Sequence, residues 1–352
     1  MNILNIGSER TTYHVELAFS PLFEAALGIA AVTYDDIRPT LEQPAEYWEQ
    51  LVKELDPAVQ RELDYAKQYN TWKTLLQLLH QRSFADLSSF LSYITELSPA
   101  ELRYQALPYL GDELQIVRHQ AASGKKSAIL ALQNACSSHL FFPAYIAHIA
   151  YVEQETLRNH LLLLMKGWYD AHIKPRQTDI NRILERDFTY KKAMRDKLSA
   201  EAFVEWATHG SYPPEPAITR VLLIPHVIYR PWTIHANDVG TKIFYYPVAD
   251  DSLHDSTDPY RPPQTLVQTL KVLGDEHRLR LVKMLSEKEL SLQELTERLG
   301  GAKSTVHHHL SLLRSAYLVE SKENKYRLKR EALDKMPALL QQFLGDRADE
   351  GH

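Results

Sequence analysis

Three consecutive histidines, His307, His308 and His309, stand among small, hydroxylated and basic residues: Lys303, Ser304 and Thr305 before them, Ser311 and Arg314 after. Two chemistries are open to such a set. Metal ligation is one, but neighbours on a helix point ~100° apart, so three in a row cannot close round one ion. Recognition of a polyanion is the other. These side chains donate or accept hydrogen bonds and none is acidic, so nothing on them repels phosphate.

A second set comprises Tyr229, Arg230, Trp232 and Tyr245, with Tyr246 adjacent and Trp168 and Tyr169 upstream. Aromatic faces beside a guanidinium can stack on a flat small-molecule effector or pair with an anionic one. Aromatics packed into a core have the same composition. The other histidines, His139, His148, His160, His172, His209, His226, His235 and His254 among them, form no HExxH or similarly tight spacing. GxSxG, P-loop, GxGxxG and CxxC patterns are absent, so the common enzyme signatures are missing and no cofactor is implied. Cys136 is the single cysteine. It excludes an intramolecular disulfide or a multi-cysteine metal site and suits a reducing cytosol.

The elements that must position the first set are legible around it. Leu292, Leu295 and Leu299 make one stripe of a helix over 292–299, and Gly300-Gly301 follow where the chain needs left-handed dihedrals. A second helix is expected over 302–316. Its wheel turns Ala302, Val306, His309, Leu310 and Leu313 inward and Ser304, His307, His308, Ser311 and Ser315 outward, with Lys303 and Arg314 at the edge. Two helices so joined are the helix-turn-helix signature. Upstream, Asp275 is placed to cap a helix carrying Leu279, Leu281, Val282 and Leu285. Downstream, two short strand patterns flank a charged tip, giving a hairpin with Lys322, Lys325 and Arg327 available to phosphate. An amphipathic helix over 331–344 closes the block.

In this order the segments GDEHRLRLVKML, SLQELTERLG, AKSTVHHHLSLLRSAYLV and the hairpin resemble the winged helix-turn-helix of the ArsR-type transcriptional regulators. The resemblance covers 262–344, roughly a quarter of the chain, and rests on the Arg278-Leu279-Arg280 turn and the STVxxHLxxLRxxxLV pattern at 304–319. It implies a dimeric repressor on a double-stranded DNA operator, with Lys303, Ser304, Thr305, His307 and His308 touching DNA and His309 on the inner face. His307 stands where the family commonly has Ser, which bears on base preference. Tyr317 stands where it usually has Gly, which bears on the geometry ahead of the wing. Metal-sensing members often carry paired Cys on the first of these helices. Here Glu294, Leu295 and Thr296 occupy those positions and the last helix lacks His, so no metal site is implied. The segments FSPLFEAALGIAAV, VIYRPW and FYYPV are similar to longer ArsR-like proteins with a large N-terminal extension, and this likeness names no ligand.

At 352 residues the chain is long enough for two domains. With 44% hydrophobic and 24% charged residues it has the composition of a globular protein. Residues 262–345 hold 14 Lys+Arg against 10 Asp+Glu, a formal +4, while the rest of the chain carries −9. That asymmetry suits DNA binding by the small domain alone. The start lacks a signal pattern, and the apolar stretches are shorter than the ~20 residues a bilayer span needs, so a cytoplasmic location with no membrane partner is expected.

The expected fold is mainly α with small β elements: a helical N-terminal domain with a small sheet over 1–250, a linker over 251–261, and the winged block over 262–345. A strand is expected over 12–19, a buried helix from Ser20-Pro21, then helices over 44–55, 57–69, 71–81, 83–97, 98–107, 112–122, 125–137, 143–152, 153–173, 175–198 and 200–209. Strands over 219–229, 232–235 and 242–248 are expected to form a meander joined by the opening strand. Together these readings describe a homodimeric DNA-binding regulator whose N-terminal domain senses an effector or dimerises. The rival is an enzyme or small-molecule-binding protein whose winged helix mediates protein contacts.

Overall fold

The computed structural model describes residues 13–35, 37–210, 212–253, 260, 262–322 and 324–345. It divides into two compact units, Met1–Val248 and Ala249–His352. The fold is mainly helical with small sheets, as the periodicities predict.

The first unit opens with β1 (His14–Leu17) and α1 (Pro21–Thr33). Ser20 accepts from the Leu22 amide and Pro21 occupies the first turn, which is why the helix starts there. Almost every residue of α1 is buried, including Glu24, so it runs through the middle of the unit rather than along its surface. The helices α2 (Ala45–Lys53), α3 (Pro57–Tyr69), α4 (Trp72–Leu79), α5 (Leu87–Glu96), α6 (Pro99–Ala106), α7 (Gln115–Ala122), α8 (Lys126–Ala135), α9 (Phe142–Tyr151) and α10 (Gln154–Trp168) follow. Of these, α3, α4 and α10 pack on α1. Gly28 lets Trp168 come close: a Cβ there would stand 3.0 Å from its ring.

The expected helix over 153–173 ends in a π-helical turn, Tyr169–Ile173, before a short 3-10 turn and α11 (Gln177–Arg195). Then come α12 (Ala200–Thr208), β2 (Arg220–His226), β3 (Ile234–Asp238) and β4 (Thr241–Pro247).

The opening strand does join the late strands, across some 200 residues of sequence: Val15 pairs with Val221. The arrangement is not the expected meander. The order is β1-β2-β4-β3, with β1, β2 and β4 parallel and β3 antiparallel at the edge. The reason lies in β2. Between Arg220 and His226 its VLLIP run is continuously apolar and buried on both faces, the texture of a central parallel strand rather than of a half-exposed hairpin arm. One face of the sheet packs Tyr13, Val15, Val221, Leu223, Phe244 and Tyr246 against Phe203, Val204 and Ala207 of α12. On the other face Tyr245 meets Phe23 of α1.

The second unit contains α13 (Asp250–Leu253), α14 (Gln264–Leu273), α15 (Glu276–Glu287), β5 (Leu290–Ser291), α16 (Leu292–Leu299), α17 (Lys303–Ser315), β6 (Val319–Lys322), β7 (Lys325–Leu328) and α18 (Arg330–Leu344). Most of the expected linker, 254–259 and 261, lies outside the described residues, as do the first residue of the expected opening strand and Glu323 in the hairpin tip. Leu281, Leu285, Leu290, Leu295, Val306, Leu310, Leu313 and Leu318 form the core of this unit.

Candidate nucleic-acid interface

Two capped helices set the position of α17. The Asp275 carboxylate accepts from the Arg278 amide at 3.0 Å and starts α15. Arg278 turns back to donate to the Val272 carbonyl at 2.5 Å and the Lys271 carbonyl at 3.3 Å, closing the end of α14. Ser291 and Glu294 form a reciprocal capping box at the start of α16. Gly300 ends that helix at φ +76 with nothing near the place a Cβ would occupy, so the dihedral and not crowding demands glycine.

The chain then enters α17. Lys303, Ser304, Thr305, His307 and His308 are exposed, while Val306, Leu310 and Leu313 are buried. Ser311 and Arg314 are half-buried, one turn or more behind the exposed set. Two positions differ from the wheel. Ala302 is exposed because it is the cap ahead of the first turn. Ser315 is buried, its hydroxyl donating to the Leu312 carbonyl at 2.8 Å. The chain folds back over this last turn. The Leu318 amide reaches the Leu313 carbonyl and the Tyr317 amide the Arg314 carbonyl, both at 3.0 Å, the paired bonds of a Schellman cap. Tyr317 adopts φ +56 in that cap. A glycine would take this left-handed position without strain, which explains why Tyr is unusual there.

After the cap, β6 and β7 pair as a hairpin and β5 adds a third strand, Leu290 opposite Tyr326. Lys325 and Arg327 are exposed on β7. Arg327 lies 3.8 Å from Glu320 and 4.0 Å from Glu289, so two carboxylates share its charge. Lys322 belongs to β6, and its side chain lies outside the described residues.

On the inner side of α17, His309 faces α15. Its Nδ1 stands 4.0 Å from Asp275 Oδ1, beyond hydrogen-bond reach, and is buried without a hydrogen-bond partner. The His277 ring lies parallel to it, centroids 5.6 Å apart and planes 9° apart. Burial lowers the His309 pKa, opposed by Asp275 and helped by Arg278, His277 and His308. The Arg278 amide holds Asp275 below its ordinary value. The sequence marks Asp275 as a cap and His309 as an inward residue, and it carries no signal that singles out His277. Only the packing of two helices brings the three together.

The aromatic set of the first unit is placed in packed interior. Tyr229, Arg230 and Tyr245 are buried and Trp232 is half-buried. Arg230 donates to Glu42 at 2.9 Å and to the Val248 carbonyl, and Trp232 donates to Thr40 at 2.7 Å. The Tyr245 hydroxyl is hydrogen-bonded to His80 Nε2. The polar atoms of Arg230, Trp232 and Tyr245 are thus bonded to neighbours, and Tyr229 is packed in the interior. Trp168 borders a cavity of about 40 Å³ with Glu24 and His172. A larger cavity, about 330 Å³, lies beside the start of α1 and is lined by Phe19, Ser20, Phe23, His80, Arg82 and Arg220 among others.

Residues 273–322 match a family described as a helix-turn-helix domain. No curated protein and no solved structure matches the chain. The chain therefore carries a helix-turn-helix domain of the kind that binds DNA, with α16 and α17 as its two helices, and none of its described helices is long and apolar enough to cross a membrane.

Proposed function

We propose that the chain is a cytoplasmic, sequence-specific transcriptional regulator, a repressor of the ArsR type, that binds a double-stranded DNA operator through a winged helix-turn-helix. The observation that carries this reading is the exposed, non-acidic face of α17 formed by Lys303, Ser304, Thr305, His307 and His308. Such a face can enter a major groove and meet base edges without repelling phosphate. Ser311, Arg314, Lys322, Lys325 and Arg327 would extend the interface along the helix and the hairpin. The positive balance of 262–345 beside a negative remainder supports the same assignment.

A homodimer follows from the reach of one recognition helix, which reads only a few base pairs; two-fold pairing doubles the interface on a palindromic site. α18 suits that role. It is amphipathic and buries no residue within the single chain, leaving Leu340 and Leu344 exposed. The first unit would supply regulation by an effector. The cavity beside α1 is of a size that takes a small molecule, and its His80 is bonded to Tyr245, so a ligand there reaches the aromatic set indirectly.

The test is selection of duplexes from a random library by the full-length protein. Enrichment of one motif with two-fold symmetry is the expected result. Recovery of no motif, with binding equal on all duplexes, would overturn sequence-specific recognition. It would favour the rival, an enzyme or small-molecule-binding protein whose winged helix mediates protein contacts.

A further inference from the structure

The inner side of α17 holds a set of donors that DNA recognition does not use. Asp275 caps α15, His277 lies in its first turn, and His309 projects from the middle of α17. One ligand atom from each lies within 4.8 Å of the others. We propose that Asp275, His277 and His309 form a binding site for a borderline divalent transition-metal ion of the Zn²⁺, Co²⁺ or Ni²⁺ class.

Three observations support the assignment. First, His309 Nδ1 is buried with no hydrogen-bond partner, an expense a folded protein normally avoids. Second, its separation from Asp275 Oδ1, 4.0 Å, is too long for a hydrogen bond and close to what an intervening ion needs. Two donors at ~2.0–2.1 Å from a tetrahedral zinc stand ~3.3 Å apart, so a contraction of well under an ångström closes the gap. Third, the donors differ in exposure. His309 and Asp275 are half-buried, while His277 is exposed, its ring parallel to that of His309, so the site is open to an ion from the solvent side.

The chemistry of the set selects the ion. Two imidazoles and one carboxylate suit zinc, cobalt and nickel, whereas Ca²⁺ and Mg²⁺ prefer oxygen donors throughout. The remaining coordination positions would face solvent and take water. One feature opposes binding: an Arg278 nitrogen stands 4.0 Å from Asp275 Oδ2. That guanidinium is held by the Val272 and Lys271 carbonyls, so it weakens the site without occupying it. Asp275 Oδ1 also keeps its amide bond from Arg278, and a carboxylate oxygen has a second lone pair for the metal. The ion would tie the first turn of α15 to the centre of α17, which otherwise meet through apolar packing. The site stands whether or not α17 reads DNA.

The experiment uses the full-length protein, stripped with chelator and dialysed. Zn²⁺ is titrated by calorimetry, and Co²⁺ by its visible d–d absorption. The expected result is one saturable ion per chain. His277→Ala, on an exposed side chain, and Asp275→Asn, which retains a capping oxygen while removing the charge, should each weaken binding ~10-fold or more. His309→Ala should do the same, and His307→Ala with His308→Ala should leave the affinity unchanged. Circular dichroism confirms that each variant is folded; if His309→Ala is not, the other two variants decide. Absence of a saturable ion, or equal affinity in wild type, His277→Ala and Asp275→Asn, overturns the site.

Discussion

Ser304 and His308 can be tested apart from the fold that presents them, because both are exposed and neither contributes to the core of the second unit. Changing both to Ala removes hydrogen-bonding groups and leaves the helix intact. Affinity for a selected operator should then fall by ~1–3 kcal/mol for each base no longer read, with little change on random duplex. Equal weakening on both would remove these residues from base reading. Lys325 and Arg327 call for a different measurement, since cations paired with phosphate act through released counterions. With both changed to Ala, the slope of log K against log salt should drop by ~0.9 for each phosphate no longer neutralised. Arg327 shares its charge with Glu289 and Glu320, so Lys325 should account for most of the change. A slope that does not move would detach the hairpin from the DNA backbone.

Among the elements, α5 shows how a single cation closes a helix. Arg158 of α10 is buried, and its guanidinium donates to the carbonyls of Ile94, Thr95 and Leu97, the last two at 3.1 and 2.6 Å. These belong to the last turn and cap of α5, where the helix dipole favours positive charge. Arg158→Ala should cost about 3 kcal/mol, chiefly because buried carbonyls are left without donors. Arg158→Lys should recover only part of that, since an ammonium cannot span the same fork. Denaturant unfolding distinguishes the two. An unchanged midpoint in the Ala variant would mean that water replaces the guanidinium at no cost.

The molecule as a whole should be acid-sensitive through the first unit. Burial lowers the pKa of His80 and of His226 from 6.5 to about 3 and that of His148 to about 4. The folded state holds them neutral, so their contribution is present above pH 6.5 and is lost as pH falls toward the folded values. For the fully buried His226 the decline approaches ~1.4 kcal/mol per pH unit. Glu24 works the other way. Burial raises its pKa from 4.5 to about 7 against the Val227 and Ile228 amides that lower it. Its cost therefore grows as pH rises through that range, and it partly masks the histidines. The thermal midpoint of this unit should fall between pH 7.5 and pH 5, and Glu24→Gln should steepen the fall. A midpoint that holds or rises on acidification would contradict the assignment.

Local chemistry makes much of this chain legible without coordinates. Ser20-Pro21, Ser98 with Glu101, Asp275 and Gly300 mark helix ends through bonds made within a few residues, and each sits where its type demands. The outward face of α17 is equally readable, because helical pitch alone assigns Ser304, His307 and His308 to one side. What lies beyond reach depends on distant segments meeting. β-Branched and aromatic residues mark β2 and β4 as strands, but their parallel pairing depends on β3 taking the edge and β1 arriving from the far end of the unit. Composition does not separate a stacking site from a core at Tyr229, Arg230, Trp232 and Tyr245. Glu42, Thr40 and His80, which bond Arg230, Trp232 and Tyr245, come from elsewhere in the sequence. The same holds for Asp275, His277 and His309. Three adjacent histidines cannot converge on one point, whereas one of them, met by the first turn of another helix, can. Helical pitch is a property of a few residues, and convergence is a property of how helices pack.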